Sequence, residues 1–182
     1  EFMKRPWAIL TGITLLGFIL RLFILTQRGS FEFDEAFSTY FAAMDINALW
    51  AHLRFENNPP GYFVGLHFWM QILGNTDLAA RSLSMLFGMA AIPLLNVIGV
   101  RLAGKAAGLF SAFLLAISTL PVFYSTEARM YAMYLFLTLA AVWFYLNLEE
   151  RREKNLSSSG ARGGFFLACS LLVWTHITAW MI

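Results

Sequence analysis

The sequence predicts an all-α polytopic membrane protein with about five transmembrane helices and further interfacial helices in a long first outer loop. Of the 182 residues, 59% are hydrophobic and only 13% are charged, whereas a soluble domain carries about 25% charged residues. The apolar residues also fall in segments of roughly the 20 residues that a helix needs to cross a bilayer. The net charge of +2, with no basic stripe outside the loops, gives no indication of nucleic-acid binding.

Five segments have the length and apolar character of spans: 7–26, 81–102, 106–123, 131–148 and 164–182. The first is predicted to be an uncleaved span, because it is longer than a usual signal-peptide core and no small-residue cleavage site follows it. Glu1 and Phe2 precede Met3 and look like a tag remnant, so residues 1–5 are assigned to this remnant and a cytoplasmic N-terminus. Residues 6–182 are predicted to form one N-terminal transmembrane module, which we expect to be truncated at residue 182.

The charged residues of the loops predict the orientation of these spans. Basic residues precede the first span, separate the second span from the third, and separate the fourth from the fifth. If the spans alternate in direction, all of these residues fall on the same side of the membrane: Lys4, Arg5, Arg101, Lys105, Arg151, Arg152, Lys154 and Arg162. By the positive-inside rule that side is cytoplasmic. The acidic residues of the first outer loop and Glu127, with the candidate functional site, then lie on the outer face. The membrane is expected to be a prokaryotic plasma membrane.

The outer loop 27–80 is too apolar for a solvated loop. Aromatic residues at helical spacing predict one short helix around 37–44, and a second is predicted from Ile46 to Leu53 with Asp45 as its N-cap. The apolar segment 61–73 is too short to cross the bilayer. We expect these pieces to lie in the membrane interface; a re-entrant course for 62–73 is the alternative.

The first candidate site residues are Asp34 and Glu35, which follow the first span directly. Two adjacent carboxylates beside lipid are costly unless water, a cation or a reaction justifies them. One of them could act as a general base, or the pair could bind a divalent cation. An equally good interpretation is an acidic pair that stabilises the N-terminus of the following helix.

Two outer arginines depart from the positive-inside pattern and could bind a phosphate with their fork of N–H donors. Arg81 opens the second span, where an ion pair with Asp77 is the structural alternative. Arg129 stands beside Glu127 in an aromatic turn, where an ordinary ion pair is the alternative. Arg21, near the outer end of the first span, is expected to reach the interface or to pair with a carboxylate there.

Several chemistries find no support in the sequence. Cys169 is the single cysteine and the three histidines do not cluster, so neither a disulfide nor a metal site is predicted from them. No glycine-rich nucleotide loop or nucleophile elbow is present. If this membrane protein is an enzyme, it would take its activated substrate from the membrane.

Five segments in order carry a family resemblance: Phe33-Asp34-Glu35, Asn58-Pro59-Pro60-Gly61-Tyr62-Phe63, Leu66-His67-Phe68-Trp69, the run 80–88 that begins Ala80-Arg81, and Tyr124 to Ala132 with Glu127-Ala128-Arg129-Met130-Tyr131. Together they resemble the N-terminal half of membrane glycosyltransferases of the GT-C fold, in the group of the protein O-mannosyltransferases and aminoarabinose transferases called family 39. The resemblance covers essentially the whole chain. It departs from the family at Asn58, where a histidine is usual.

The resemblance implies that a hexosyl or pentosyl group moves from a polyprenyl-phosphate-linked donor to an acceptor hydroxyl on a protein, lipid or glycan, with inversion of the anomeric carbon. On this basis Asp34 is the expected base or acceptor-orienting residue, with Glu35 beside it. Arg81 and Arg129 are the expected ligands of the donor phosphate. Glu127, Tyr131 and Asn58 are expected to support them, and no metal is required.

Other functions stay open at this point. The chain could be a catalytically silent truncated module or a membrane scaffold that retains the fold. A transporter fragment is a weaker alternative, because charged residues are confined to the ends of the predicted spans.

Overall fold

The computed structural model describes residues 6–181, so that the predicted remnant and flank 1–5 and Ile182 lie outside the described residues. Within these residues all the regular secondary structure is helical, and no strand is present. The α-helices are α1 Pro6–Gln27, α2 Phe33–Ala43, α3 Ile46–Leu53, α4 Gly61–Leu73, α5 Asp77–Ile117, α6 Thr119–Tyr124, α7 Tyr131–Glu153 and α8 Ser159–Thr175, followed by a 3₁₀ helix Ile177–Met181. The predicted all-α class is confirmed.

Helix α5 consists of two antiparallel arms joined at Gly104. This glycine has φ 86° and ψ 176°, a conformation that L side chains rarely adopt. A methyl group placed on Gly108 would lie 2.7 Å from the carbonyl oxygen of Asn96. Residues 12 positions apart would be about 18 Å apart along a straight helix, so residues 105–117 must fold back along residues 77–103. Small residues let the two backbones approach this closely, as expected for membrane helices.

The helices agree with the predicted spans in part. Among residues 6–181, three helices are long and apolar enough to cross a membrane: α1, α5 and α7. The predicted span 106–123 is interrupted, because helix α5 ends at Ile117 and the short helix α6 begins at Thr119. The predicted span 164–182 also differs, since α8 begins at Ser159 and ends at Thr175. The count of five spans therefore stays a prediction.

The prediction for Arg21 is wrong. Its side chain is fully buried and donates from Nη1 to the carbonyl oxygens of Gly17, at 3.0 Å, and Ala116, at 3.1 Å. Ala116 lies in the last turn of α5, where carbonyl groups have no partner within the helix. Arg21 therefore fastens α1 to the end of α5 instead of reaching the interface.

Short helices connect α1 to α5. Asp45 caps α3 as predicted, accepting hydrogen bonds at Oδ1 from the backbone N–H groups of Asn47 and Ala48. Helix α4 packs against α2, and the apolar contacts between these short helices are made by Phe41, Leu49, Leu53 and Phe63. Helix α2 begins at Phe33, earlier than the aromatic spacing predicted. This earlier start places both Asp34 and Glu35 in the first turn of α2.

Arg101 identifies one end of the helix bundle. It donates to the carbonyl oxygen of Leu146 at 2.6 Å and to Asn147 at 3.1 Å, and it also pairs with Glu150. The Gly104 turn and the C-terminal end of α7 therefore lie together. The opposite end carries the loop after α1, helix α2 and the turn between α6 and α7, and all the carboxylates and arginines of the candidate site lie there.

Candidate functional site

Two ion pairs connect the first turn of α2 to distant parts of the chain. Glu35 pairs with Arg81 of α5, and Asp34 pairs with Arg129 of the turn between α6 and α7. The structure thus brings four of the residues singled out from the sequence into one region. It does so in two separate pairs, which differ in geometry and exposure.

The Glu35–Arg81 pair is buried and has short hydrogen bonds. Arg81 Nε donates to Glu35 Oε1 at 2.9 Å and Arg81 Nη2 donates to Glu35 Oε2 at 2.8 Å. The backbone N–H of Ala128 adds a third hydrogen bond to Oε1, also at 2.9 Å. Both side chains are at most 4% exposed. The alternative partner from the sequence, Asp77, is not the residue that Arg81 contacts.

Further contacts of Arg81 hold the loop after α1. Arg81 Nη1 donates to the carbonyl oxygen of Gly29 at 3.1 Å, and Nη2 is 3.5 Å from that of Ser30. All three nitrogen atoms of the guanidinium therefore have protein partners. Arg81 thus connects the start of α5 to the loop after α1 and to helix α2. Its partner Glu35 extends this connection to the turn at Ala128.

The charge state of Glu35 follows from these contacts. Burial by itself would raise the pKa of Glu35, but the hydrogen bond from Arg81, the N–H of Ala128 and the positive charge of Arg81 together hold the pKa below its usual value. Glu35 also closes a capping box with Glu32, whose backbone N–H donates to Oε2 at 3.3 Å. These contacts favour the ionised form of Glu35.

The Asp34–Arg129 pair is open on one side. Arg129 Nη2 is 3.4 Å from Asp34 Oδ2, and Arg129 Nη1 is 3.4 Å from the carbonyl oxygen of Asp34. The Asp34 side chain is 65% exposed, while that of Arg129 is 12% exposed. Arg129 Nε is buried and has no hydrogen-bond partner among the described residues. A water-facing carboxylate is thus held beside a guanidinium that retains an unused N–H.

Glu127 lies in the same turn and pairs with Arg28, at 3.5 Å between Oε1 and Nη1. Arg28 also lies 4.2 Å above the ring of Phe123. Burial raises the pKa of Glu127, and the charge of Arg28 offsets this only in part. Arg28 was not singled out from the sequence, although it is one more arginine at the outer end of a span and could have been noticed for that reason.

The other two predicted supporting residues lie in different places. The ring of Tyr131 is beneath Arg129, with 5.6 Å between its centroid and Cζ. Asn58 instead bonds within its own loop, donating from Nδ2 to Glu56 at 3.1 Å. A buried chain of hydrogen bonds fixes the backbone of Arg129, since Ser84 donates to its carbonyl oxygen at 2.9 Å and contacts the hydroxyl of Tyr62 at 2.9 Å.

The possible divalent cation at Asp34 and Glu35 can be compared with this geometry. Both oxygen atoms of Glu35 already accept hydrogen bonds. Over the residues that the structure describes, no group of three or more histidine, cysteine, aspartate or glutamate side chains is arranged to hold a metal ion. The two carboxylates are instead held by the guanidinium groups of Arg81 and Arg129 and, at Glu35, by backbone N–H groups.

Comparison with known proteins identifies a family that the chain resembles. A family model described as Dolichyl-phosphate-mannose-protein mannosyltransferase matches residues 57–179. These residues include Arg81, Glu127, Arg129 and Tyr131 but begin after Asp34 and Glu35. No curated protein and no solved structure matches the chain significantly.

Proposed function

The chain belongs to the dolichyl-phosphate-mannose-protein mannosyltransferase family, and from this premise we propose that it transfers a sugar from a polyprenyl-phosphate donor to an acceptor hydroxyl at the non-cytoplasmic face of the membrane. The family implies a mannosyltransferase-like membrane glycosyltransferase, and the apolar helices make the chain an integral membrane protein. The observation that carries the proposal is the exposed Asp34 carboxylate held 3.4 Å from the largely buried Arg129.

Asp34 is the proposed general base. A hydroxyl is a weak nucleophile near neutral pH, and a carboxylate within hydrogen-bond distance can accept its proton as the new bond forms. The exposure of Asp34 allows an acceptor to approach it from the aqueous side. In the proposed step the acceptor oxygen attacks the anomeric carbon and its proton passes to Asp34. The bond between that carbon and the phosphate oxygen breaks, and direct attack of this kind inverts the anomeric centre.

Arg129 is the proposed ligand of the phosphate. Negative charge grows on the phosphate oxygen as it leaves, and a guanidinium in a partly dry site stabilises that charge more strongly than water does. Arg129 has an unused Nε–H and only long contacts to Asp34. Tyr131, under the guanidinium, restricts its movement. The leaving group is then polyprenyl phosphate held at Arg129.

Glu35 and Arg81 are proposed to position the site without touching the substrate. Arg81 was expected from the sequence to bind the phosphate, but its three nitrogen atoms already contact Glu35, Gly29 and Ser30. The pair instead holds the first turn of α2 against the turn that contains Arg129, because Glu35 also binds the N–H of Ala128. In this way it sets the distance between Asp34 and Arg129.

The proposal is tested by replacing Asp34 with asparagine. Transfer of radiolabelled mannose from a synthetic polyprenyl-phosphate mannose is measured in membranes that contain the protein. We expect Asp34→Asn to lose at least about 100-fold in rate, the lower end of what a positioned general base contributes. Membrane insertion should be unchanged, because the side chain is largely exposed.

Asp45→Asn is the matched control. It makes the same chemical change in the same outer loop, and asparagine caps a helix about as well as aspartate. Its transfer rate should equal that of the wild type. Full turnover in Asp34→Asn would remove Asp34 from the role of base, and a well-inserted wild type without any transfer would favour the silent scaffold.

A further inference from the structure

The end of α8 brings a histidine to the Arg129 region. Helix α8 ends at Thr175, and His176 follows in an extended conformation with φ −147° and ψ 137°. Its ring lies beside two tyrosines, with centroid distances of 5.7 Å to Tyr131 and 5.1 Å to Tyr134. The Tyr131 ring is the one that also lies beneath the guanidinium of Arg129. His176 and Arg129 thus both lie beside the ring of Tyr131.

Hydrogen bonds fix which nitrogen of His176 carries the proton. Nδ1 is 3.2 Å from the backbone nitrogen of Thr178 and 2.8 Å from its hydroxyl. A backbone N–H can only donate, so Nδ1 must accept and is unprotonated. A neutral ring then carries its single hydrogen on Nε2, at the other edge of the imidazole. Burial and the charge of Arg129 both lower the pKa of His176, which favours this neutral form.

We propose that His176 is a second ligand of the donor phosphate and donates its Nε2–H to it beside the guanidinium of Arg129. The inference rests on the proposed function, since it takes Arg129 as the first phosphate ligand. A guanidinium with an adjacent neutral N–H gives two kinds of donor to one phosphate group, as in other sites that bind oxyanions. Among the described residues Nε2 has no hydrogen-bond partner of its own.

The purely structural role of His176 uses the other nitrogen. By accepting from Thr178, Nδ1 caps the 3₁₀ helix that follows. The two roles can be separated by substitution. His176→Asn keeps an acceptor near the position of Nδ1 and loses the donor at Nε2. His176→Gln keeps an N–H donor near the position of Nε2 and loses the cap.

The experiment measures binding of farnesyl phosphate, a short soluble probe, to the purified protein. Farnesol and inorganic phosphate are the neutral and lipid-free probes. We expect His176→Asn to weaken farnesyl phosphate binding about 10-fold, the effect of losing one hydrogen bond to a charged group, with farnesol binding unchanged. His176→Gln should recover most of the affinity although its thermal stability is lower. Inorganic phosphate should bind far more weakly than farnesyl phosphate, because it lacks the apolar chain whose burial adds to the binding free energy.

The controls distinguish the failure of this inference from the failure of the proposed function. His52→Asn removes an exposed histidine on α3 whose hydrogen bond is made within its own helix. This substitution should leave farnesyl phosphate binding unchanged. If Arg129→Ala weakens binding but His176→Asn does not, or if His176→Asn weakens farnesol equally, the role of His176 is overturned and Arg129 keeps its own. If the wild type binds no farnesyl phosphate, both proposals are overturned.

Discussion

Asp34 and Glu35 are adjacent in the chain and each pairs with an arginine, but the two pairs differ in solvent exposure and in the distances between their charged groups. Glu35 is 1% exposed and receives hydrogen bonds of 2.8 and 2.9 Å from Arg81. Asp34 is 65% exposed and lies 3.4 Å from Arg129. One pair is closed to solvent and fully bonded. The other is open to solvent and loosely bonded, so that either partner can bind something else.

Helix geometry explains how neighbours acquire opposite environments. Successive residues of an α-helix point about 100° apart, so in the first turn of α2 Glu35 faces the bundle while Asp34 faces outward. The inward residue gives stability and the outward one is available for chemistry. If this division is correct, substitutions of the two arginines should separate stability from activity.

The largest effect on stability is expected from Arg81→Ala. It leaves Glu35 as a buried carboxylate without its cation, and breaking a buried ion pair in this way typically costs about 3–5 kcal/mol. The free energy of unfolding can be measured by denaturant titration of the protein in micelles. The matched change Arg129→Ala removes an arginine from the open pair and should cost clearly less, because it leaves Asp34 solvated and does not create a buried unpaired charge.

Equal losses in the two variants would contradict the comparison. The double variant Arg81→Met with Glu35→Leu provides a further check, because replacing both charges by apolar groups of similar size is often neutral or stabilising. We expect it to recover part of the stability that Arg81→Ala loses, because the unpaired charge is gone but the N–H of Ala128 and the carbonyl oxygen of Gly29 still lack their partners. A double variant as unstable as the single one would show that the unpaired charge of Glu35 is not the main source of the loss.

The second prediction concerns activity at the open pair. Arg129→Ala should lower kcat/KM for sugar transfer about 100- to 1000-fold, the effect of removing one donor that stabilises a developing oxyanion. Arg129→Lys should fall between this variant and the wild type, because an ammonium retains the charge but not the planar fork. Steady-state kinetics with a polyprenyl-phosphate mannose measures both. Wild-type kcat/KM in Arg129→Ala would exclude Arg129 from phosphate binding.

Local signals in the sequence were sufficient for most helices. The cap at Asp45 and the bounds of α3 follow from neighbouring residues, and the observed α3 has the predicted bounds. The break at Ser118 was not predicted, because an apolar run looks the same whether or not its backbone turns within it. The chain reverses at Gly104, between Arg101 and Lys105. This agrees with the sequence prediction that one span ends at 102 and the next begins at 106.

The site was less accessible from the sequence. Acidic and basic residues near the outer ends of the spans could be noticed, but their partners lie far along the chain. Glu35 and Arg81 are 46 residues apart and Asp34 and Arg129 are 95 apart. The choice of Glu35 over Asp77 as the partner of Arg81 depends on how α2 packs, and nothing in the local pattern determines that. Arg21 was mispredicted for the same reason, since its acceptor at Ala116 is also distant.

A third prediction compares Glu35 with Glu127, two buried glutamates with opposite pKa shifts. The pKa of Glu35 lies below the ordinary value of 4.5, so its charge stabilises the fold above about pH 4.5, and that contribution is lost as the pH falls through the lower, folded value. Unfolding temperatures measured from pH 3 to pH 8 should show a fall at the acidic end that is smaller in Glu35→Gln. That variant should be less stable than the wild type near pH 7.

The smallest effect, with the opposite sign, is expected at Glu127. Its pKa is raised because burial outweighs the charge of Arg28, so the folded state favours the protonated form and stability falls as the pH rises from about 4.5 through the folded value. Glu127→Gln mimics the protonated form and should raise the Tm near pH 7 by roughly 2–4 °C, the shift that about 1 kcal/mol gives a chain of this size. The gain should disappear below about pH 4.5, where the wild type is itself protonated. A loss of stability at pH 7 would show that the Arg28–Glu127 pair outweighs the cost of burying it, and the turn would then resemble the closed pair at Glu35 more than the open one at Asp34.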